Sequence, residues 1–121
     1  MSSFADRFDP AAYADEAAVE VRAILDLPQS PANRAYLVPV RLFDRLLHLA
    51  SAYALPQLRA IDPHAPYVVQ KDDAQRLAAE LAFLDGVVND SLLGPHLAGM
   101  RSVAEECGRH EGVAWLVIDQ P

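Results

Sequence analysis

The stretch AAVEVRAIL, residues 17–25, decides the fold of this chain. Its apolar residues alternate with Glu20 and Arg22, which is typical of a strand with one buried face. Several of them also share one helical face with Ala14, so residues 13–25 have two interpretations. Because the next residues, DLPQSPAN, favour turns and RAYLVPV then reads as a returning strand, we predict a helix or turn near 10–17 and a strand at 18–25. The two strands would form a hairpin with a long loop.

Three amphipathic helices are predicted after the hairpin. The first follows from VPVRLFDRLLHLASAYAL, with Pro39 in its first turn and Pro56 at its end. The second begins at the capping-box spacing of Asp72 and Gln75 and runs to about Val88. The third spans about 91–109. The apolar face predicted for the first helix comprises Phe43, Leu46, Leu47, Ala50 and Ala54. The apolar stripe predicted for the third comprises Leu93, Leu97, Met100, Ala104 and Cys107.

Two further extended segments complete the expected fold. Residues 67–69 read as a short extended piece, and the apolar run 113–118 reads as a buried strand that returns beside the hairpin. Helices grouped between strands indicate an α+β domain: a small, mostly antiparallel sheet, formed by the N-terminal hairpin and the C-terminal strand and covered by about three helices. We expect residues 1–12 to be a flexible arm and residues 13–121 to be one domain.

Charge and composition restrict the classes of function. A net charge of −7 argues against nucleic-acid binding, which needs a clustered basic surface. The N-terminus lacks the apolar segment of a signal peptide, and no apolar run reaches the roughly 18 residues that span a bilayer. One cysteine cannot form an internal disulfide. We therefore expect a cytoplasmic protein that binds neither nucleic acid nor membrane.

The corner IDPHAPYVVQKDD, residues 61–73, holds the weak catalytic candidates Asp62, His64 and Asp72. With Asp72 or Asp73 folded back towards His64, the group would hold a divalent ion or act as an acid–base pair. The structural alternative is a turn stiffened by prolines, followed by a helix whose first turn favours acidic residues. No metal-ligand motif or phosphate loop is present elsewhere, and we predict no cofactor and no metal site.

Cys107 offers a second candidate, either as a nucleophile or with His110 as half of a metal site. Two ligands are too few for a structural zinc, and Cys107 lies on the apolar stripe of its helix. A buried thiol is therefore the favoured interpretation.

Arg41, Arg45 and His48 recur at steps of four and three on the first helix and are the predicted binding residues. Such a stripe would meet an acidic partner or a phosphorylated ligand, although pairing with nearby acids explains it equally simply. The thin apolar stripes of the alanine-rich helices also favour a surface that a second copy covers, so a homodimer is a further hypothesis.

The stretch LVPVRLFDRLLHLASAYALPQLRAIDPHAPYVVQKDDAQRLAAEL, together with the ending AWLVIDQP, resembles small uncharacterised proteins of GC-rich bacteria. The resemblance covers roughly residues 36–84 and 113–119 and implies the α+β fold without supplying an activity or site residues. The leading hypothesis is a small acidic module for binding or regulation, such as an immunity- or antitoxin-like protein. The alternative is a small enzyme or metal-binding protein using Asp62, His64 and a neighbouring carboxylate.

Overall fold

The fold is seen in a computed structural model that describes residues 17–25 and 35–121. The predicted arm, most of the helix or turn near 10–17 and the hairpin loop lie outside the described residues. Within them, strands and helices follow in this order: β1 (Ala18–Leu25), β2 (Ala35–Pro39), α1 (Val40–Ala52), α2 (Pro56–Arg59), β3 (Tyr67–Gln70), α3 (Lys71–Val87), α4 (Leu93–Arg109) and β4 (Ala114–Asp119).

The four strands form one antiparallel sheet in the order β2-β1-β4-β3. β1 pairs with β2 as the predicted hairpin, and β4 returns to the other side of β1, which confirms the α+β fold. β3, expected only as a short extended piece, pairs with the outer edge of β4. β1 is a central strand of a sheet that is covered on only one face, so its alternating pattern indicates which of its residues are buried.

The sheet has one covered face and one open face. Val19 and Val21 of β1 and Leu116 and Ile118 of β4 are buried on the covered face. The intervening residues point to the opposite side, where Trp115 is partly exposed. Because side chains alternate along a strand, the helices lie on the face of the buried set. We call the opposite side the open face.

The helices supply the rest of the core as the sequence predicts, with one exception. All five residues of the predicted α4 stripe are buried, and so are Phe43, Leu46 and Ala50 of α1. Leu47, predicted on the same α1 face, is partly buried and packs against this core. Ala54, predicted on the same α1 face, is exposed because the helix has already ended. No helix among the described residues is long and apolar enough to cross a membrane.

The predicted end of α1 was wrong because a cap other than the expected proline forms. α1 ends at Ala52 rather than at Pro56, because Ala54 adopts a left-handed φ of 55° and the Leu55 N–H donates to the Ala50 carbonyl, a bond typical of a Schellman ending. Pro56 instead begins α2, where its fixed φ suits the first helical position.

The capping box predicted for α3 is absent. α3 begins at Lys71, so Asp72 lies inside the first turn, and no side chain caps Gln70 at the N-cap position. The Gln75 side chain donates instead to the Gly108 carbonyl of α4, at 2.8 Å. Gln75 therefore joins α3 to α4 rather than closing its own helix.

Candidate functional site

Asp62 has a structural role at the corner before β3. Its Oδ1 accepts a hydrogen bond from the His64 backbone N–H at 2.8 Å, and its carbonyl accepts one from Gln120 Nε2 at 2.9 Å. A carboxylate that bonds the backbone two residues ahead forms an Asx turn. Asp62 therefore fixes the turn and ties it to the residue that follows β4.

The structure does not bring His64 and Asp72 together. His64 lines a depression with Gln120 and Pro121 beyond the end of β4, whereas Asp72 lines another with Val113 and Ala114 at its start. β4 has six residues, so its ends lie about 17 Å apart at a rise of about 3.3 Å per residue. Across residues 17–25 and 35–121, no three His, Cys, Asp or Glu side chains converge as metal ligands.

The predicted basic stripe is divided among different surroundings. Arg45 pairs with Asp90 in the α3–α4 loop at 3.3 Å, Arg41 is exposed, and His48 lines a depression with Asp44 and Arg59. The ion pair neutralises the central member of the stripe. It also fixes α1 against the end of α3.

The most buried charged side chain in the described part of the chain is Glu80, which was not among the predicted site residues. It is 8% exposed, and its two oxygens accept the backbone N–H groups of Gln57 and Leu58, each at 2.9 Å. These are the first free donors of α2, so Glu80 of α3 caps a helix in another part of the chain. Its role is structural.

A polar network extends from Gln57 at this cap to Tyr67 on β3. The Tyr67 hydroxyl donates to Gln57 Oε1 at 2.8 Å, and Gln57 Nε2 donates to Asp73 Oδ1 at 3.3 Å. Burial first, and then the charges of Asp73 and Glu80, raise the pKa of Tyr67 to about 12. Tyr67 therefore stays protonated at neutral pH and links three elements without offering a base.

Lys71, the only lysine in the chain, closes the end of α4. Its Nζ donates to the carbonyls of His110 and Gly112, where the helix C-terminus favours a cation. Cys107 is buried and unpaired, as predicted, and burial raises the pKa of its thiol although Lys71 opposes the effect. A buried thiol with a raised pKa is a poor nucleophile.

Tyr36 on β2 and His96 on α4 form a contact that the sequence gave no reason to expect. The Tyr36 hydroxyl lies 3.0 Å from His96 Nδ1, and the rings meet edge to face with centroids 5.8 Å apart. Burial lowers the pKa of His96 and raises that of Tyr36. The Tyr36 hydroxyl and His96 Nδ1 share this hydrogen bond, and the hydroxyl also donates to the Pro95 carbonyl at 3.4 Å. The pair therefore holds the edge strand β2 against α4.

Because burial holds the pKa of His96 in the folded protein below its ordinary value of 6.5, we expect acid to destabilise the folded protein through this residue. The unfolded chain takes up the proton more readily, so the free energy of unfolding falls as the pH drops below about 6.5 through the lowered pKa. Urea denaturation from pH 8 to pH 5 measures the effect. A His96→Phe variant keeps a ring and should lose this part of the pH dependence; identical pH profiles would contradict the prediction.

The described structure also presents an exposed group of aromatic and apolar side chains on the helix layer. Tyr53, at the C-cap of α1, and Phe83 of α3 meet edge to face with ring centroids 5.4 Å apart. Val87 lies one turn beyond Phe83, and the three side chains are 45–47% exposed. We call Tyr53, Phe83 and Val87 the aromatic patch. The patch lies where the end of α1 meets α3. The ion pair between Arg45 of α1 and Asp90 of the α3–α4 loop is a second contact between these parts of the fold.

The residues described above thus form several structural contacts and one exposed surface. Asp62, Glu80, Lys71 and the pair Tyr36–His96 each hold two parts of the fold together. The aromatic patch, by contrast, leaves nearly half of each of its three side chains exposed to solvent. Comparisons of the chain with protein-family models, curated proteins and solved structures found no match.

Proposed function

We propose that this protein is a non-catalytic binding module that acts by covering a protein partner, as immunity and antitoxin proteins do. The observation that supports the proposal is the aromatic patch: two rings packed against each other while nearly half of each remains exposed. Exposed apolar groups of this kind mark interaction sites more often than isolated apolar residues do.

Tyr53 and Phe83 have the properties of residues that dominate binding energy. Aromatic side chains offer large contact areas with only two rotatable torsions, so little conformational entropy is lost when a partner covers them. Their mutual contact restricts those torsions before binding. Tyr is also among the residues enriched at the energetic centres of interfaces.

The charge of the chain indicates the chemistry of the partner. Arg45 of α1 is neutralised by Asp90, and Arg76 of α3 pairs with Asp73, so both of these basic side chains have acidic partners. The net charge of −7 then sets the sign of the long-range field. A partner with a basic surface would be attracted and oriented by that field. Arg41 and His48, the other two residues of the predicted basic stripe, are exposed on α1, and the proposal assigns them no contact with the partner.

The enzyme alternative has no comparable support among the described residues. Its three candidate side chains are divided between a turn and two separate depressions. We therefore favour the binding module over the enzyme, and Asp62 keeps its structural role in the turn before β3.

A retention experiment tests the binding module. The full chain is immobilised and exposed to a bacterial lysate at low salt, alongside a Tyr53→Ala/Phe83→Ala double variant and a Val113→Ala control. Val113 is 63% exposed but lies before β4, away from the aromatic patch. We expect a protein that the wild type and the control retain and the double variant loses, with at least about 100-fold weaker affinity once it is purified.

Circular dichroism of each variant verifies that the fold is kept, as the exposure of both rings leads us to expect. Raising the salt concentration should weaken retention, because attraction between opposite charges is screened. If the double variant retains the same proteins as the wild type, the aromatic patch is not the binding surface and the proposal fails.

A further inference from the structure

The open face of the sheet carries a second exposed apolar surface, distinct from the aromatic patch. Leu37 is 58% exposed, Val68 52%, Ile24 39% and Trp115 37%. All four belong to strands and point away from the helices, because their strand neighbours are the buried residues of the covered face. Half of the eight large hydrophobic side chains exposed in the described structure therefore lie on one face.

The strand register joins most of these residues into a strip. Ile24 of β1 lies opposite Trp115 of β4, and Val68 of β3 lies opposite Val117. Directly paired residues have side chains about 5 Å apart, so the strip crosses three strands. Val117, at its centre, is only 6% exposed although it belongs to the open face. The strip is therefore continuous rather than a set of separate apolar residues.

The charges of the open face almost cancel. Arg22 bonds Glu20 at 2.6 Å and Asp119 at 3.0 Å, so this group contributes one net negative charge. Two chains that each carry −7 repel one another over most of their surfaces. The nearly neutral open face reduces the electrostatic cost of bringing two such chains together. It also offers both signs of charge for contacts across a twofold axis.

The dimensions of the open face fit another sheet better than a single helix. Four strands about 4.8 Å apart make a face about 19 Å wide, whereas a helix with its side chains is only about 10–12 Å across. A sheet of the same width would cover the face completely, at the usual face-to-face spacing of about 10 Å.

The edges of the sheet are less suited to association. β3 has four residues, and β2 ends in Pro39, which has no N–H to donate. Pairing at either edge would add few hydrogen bonds.

We propose that two copies of this chain pack through their open faces into a twofold-symmetric dimer of layers helix–sheet–sheet–helix. Ile24, Trp115, Val117 and Val68 form the apolar centre of the interface, and the Glu20–Arg22–Asp119 group lies beside it. The aromatic patch is on the helix layer and stays exposed in the dimer. Self-association and partner binding therefore use different surfaces and are tested separately.

Trp115 is the only tryptophan in the chain and lies within the proposed interface, so its fluorescence reports on association. The test is sedimentation equilibrium of the full chain over a range of concentrations, with emission spectra of the same samples. We expect twice the mass of one chain, and an emission maximum that moves to shorter wavelength together with the mass.

Val68→Glu and Trp115→Glu each place a charge in the apolar centre and should weaken association at least about tenfold. Val68 is half exposed on a short edge strand, so its variant should keep the fold, which circular dichroism verifies. Ala98→Glu adds the same charge at an exposed position on α4 and should remain dimeric. A monomeric wild type, or Val68→Glu and Trp115→Glu variants as dimeric as Ala98→Glu, would overturn the proposal and leave the open face to a different protein.

Discussion

Replacing Gly99 with alanine is expected to destabilise the protein by about 2 kcal/mol, although alanine is the better helix former by about 1 kcal/mol. A Cβ atom at Gly99 would lie 2.1 Å from Cε2 and 2.2 Å from Cζ of Tyr36, far inside van der Waals contact. The ring has little freedom to move, because its hydroxyl is bonded to His96 and its strand is paired with β1. The strain would therefore pass to β2 and α4.

Gly86 provides a matched control for Gly99. It lies in the last turn of α3, and a Cβ added there would meet no atom within 4 Å. Gly86→Ala should thus raise the free energy of unfolding by about 0.5–1 kcal/mol, because alanine loses less backbone entropy on folding. Urea denaturation of both variants measures the two opposite changes.

A double-mutant cycle with Tyr36→Ala identifies the cause of the Gly99 effect. Once the ring is removed, the added Cβ meets no obstacle from it, so Gly99→Ala should become neutral or stabilising. If Gly99→Ala is equally destabilising in both backgrounds, the contact with Tyr36 does not explain the cost.

The parts of the fold that the sequence revealed are those in which one side of an element is buried. β1 shows strict alternation because the covered face buries Val19, Val21 and Leu25 while Glu20 and Arg22 remain accessible. The α4 stripe is visible for the same reason, at a period close to 3.6 residues. In both cases the buried residues recur at the period of the strand or helix, so the hydrophobic pattern of the sequence shows which residues are buried.

Contacts between elements that are distant in sequence produce no such periodic pattern. The end of α1 depends on the left-handed backbone of Ala54, whereas the expected signal for that conformation is glycine. The pairing of Tyr53 with Phe83 depends on how α1 lies against α3, which neither segment specifies by itself. The sequence therefore did not predict that Tyr53 and Phe83 would meet in one exposed patch.

The candidate catalytic group shows the opposite error. Asp62, His64 and Asp72 are close in sequence, but β3 lies between them and carries the chain along the sheet. An extended segment separates its ends by about 3.3 Å per residue, so closeness in sequence did not become closeness in space. The one pair that does meet, Asp62 and the His64 backbone, forms the turn itself.

Replacing Glu80 with alanine is expected to destabilise the protein by about 3 kcal/mol. The change leaves the N–H groups of Gln57 and Leu58 without their acceptors, and a buried donor that loses its partner costs about 1–3 kcal/mol. Leu58 is itself a buried core residue, 1% exposed, so its N–H cannot be fully compensated by water. α2, with four residues, has few other bonds to hold it.

Glu80→Gln should fall between the wild type and Glu80→Ala. The amide oxygen keeps one acceptor, but the NH₂ group places a donor against the second N–H, so one bond is lost. Glu105→Ala is the control, since Glu105 pairs with Arg101 and Arg109 on an accessible surface. Such pairs contribute little, and we expect a change within about 0.5 kcal/mol.

Hydrogen exchange at the Gln57 and Leu58 amides separates a local cap from a general loss of packing. In Glu80→Ala these two amides should exchange faster by a larger factor than the core amides of β1, because α2 opens before the sheet does. Sequence could have pointed to this residue: Glu80 follows Leu77 by three positions and precedes Leu84 by four, on the buried side of α3. A carboxylate at such a position needs buried donors, and α2 supplies them. If Glu80→Ala is as stable as Glu105→Ala, or if its Gln57 and Leu58 amides stay protected, the cap contributes nothing and α2 is held by the packing of Leu58 alone.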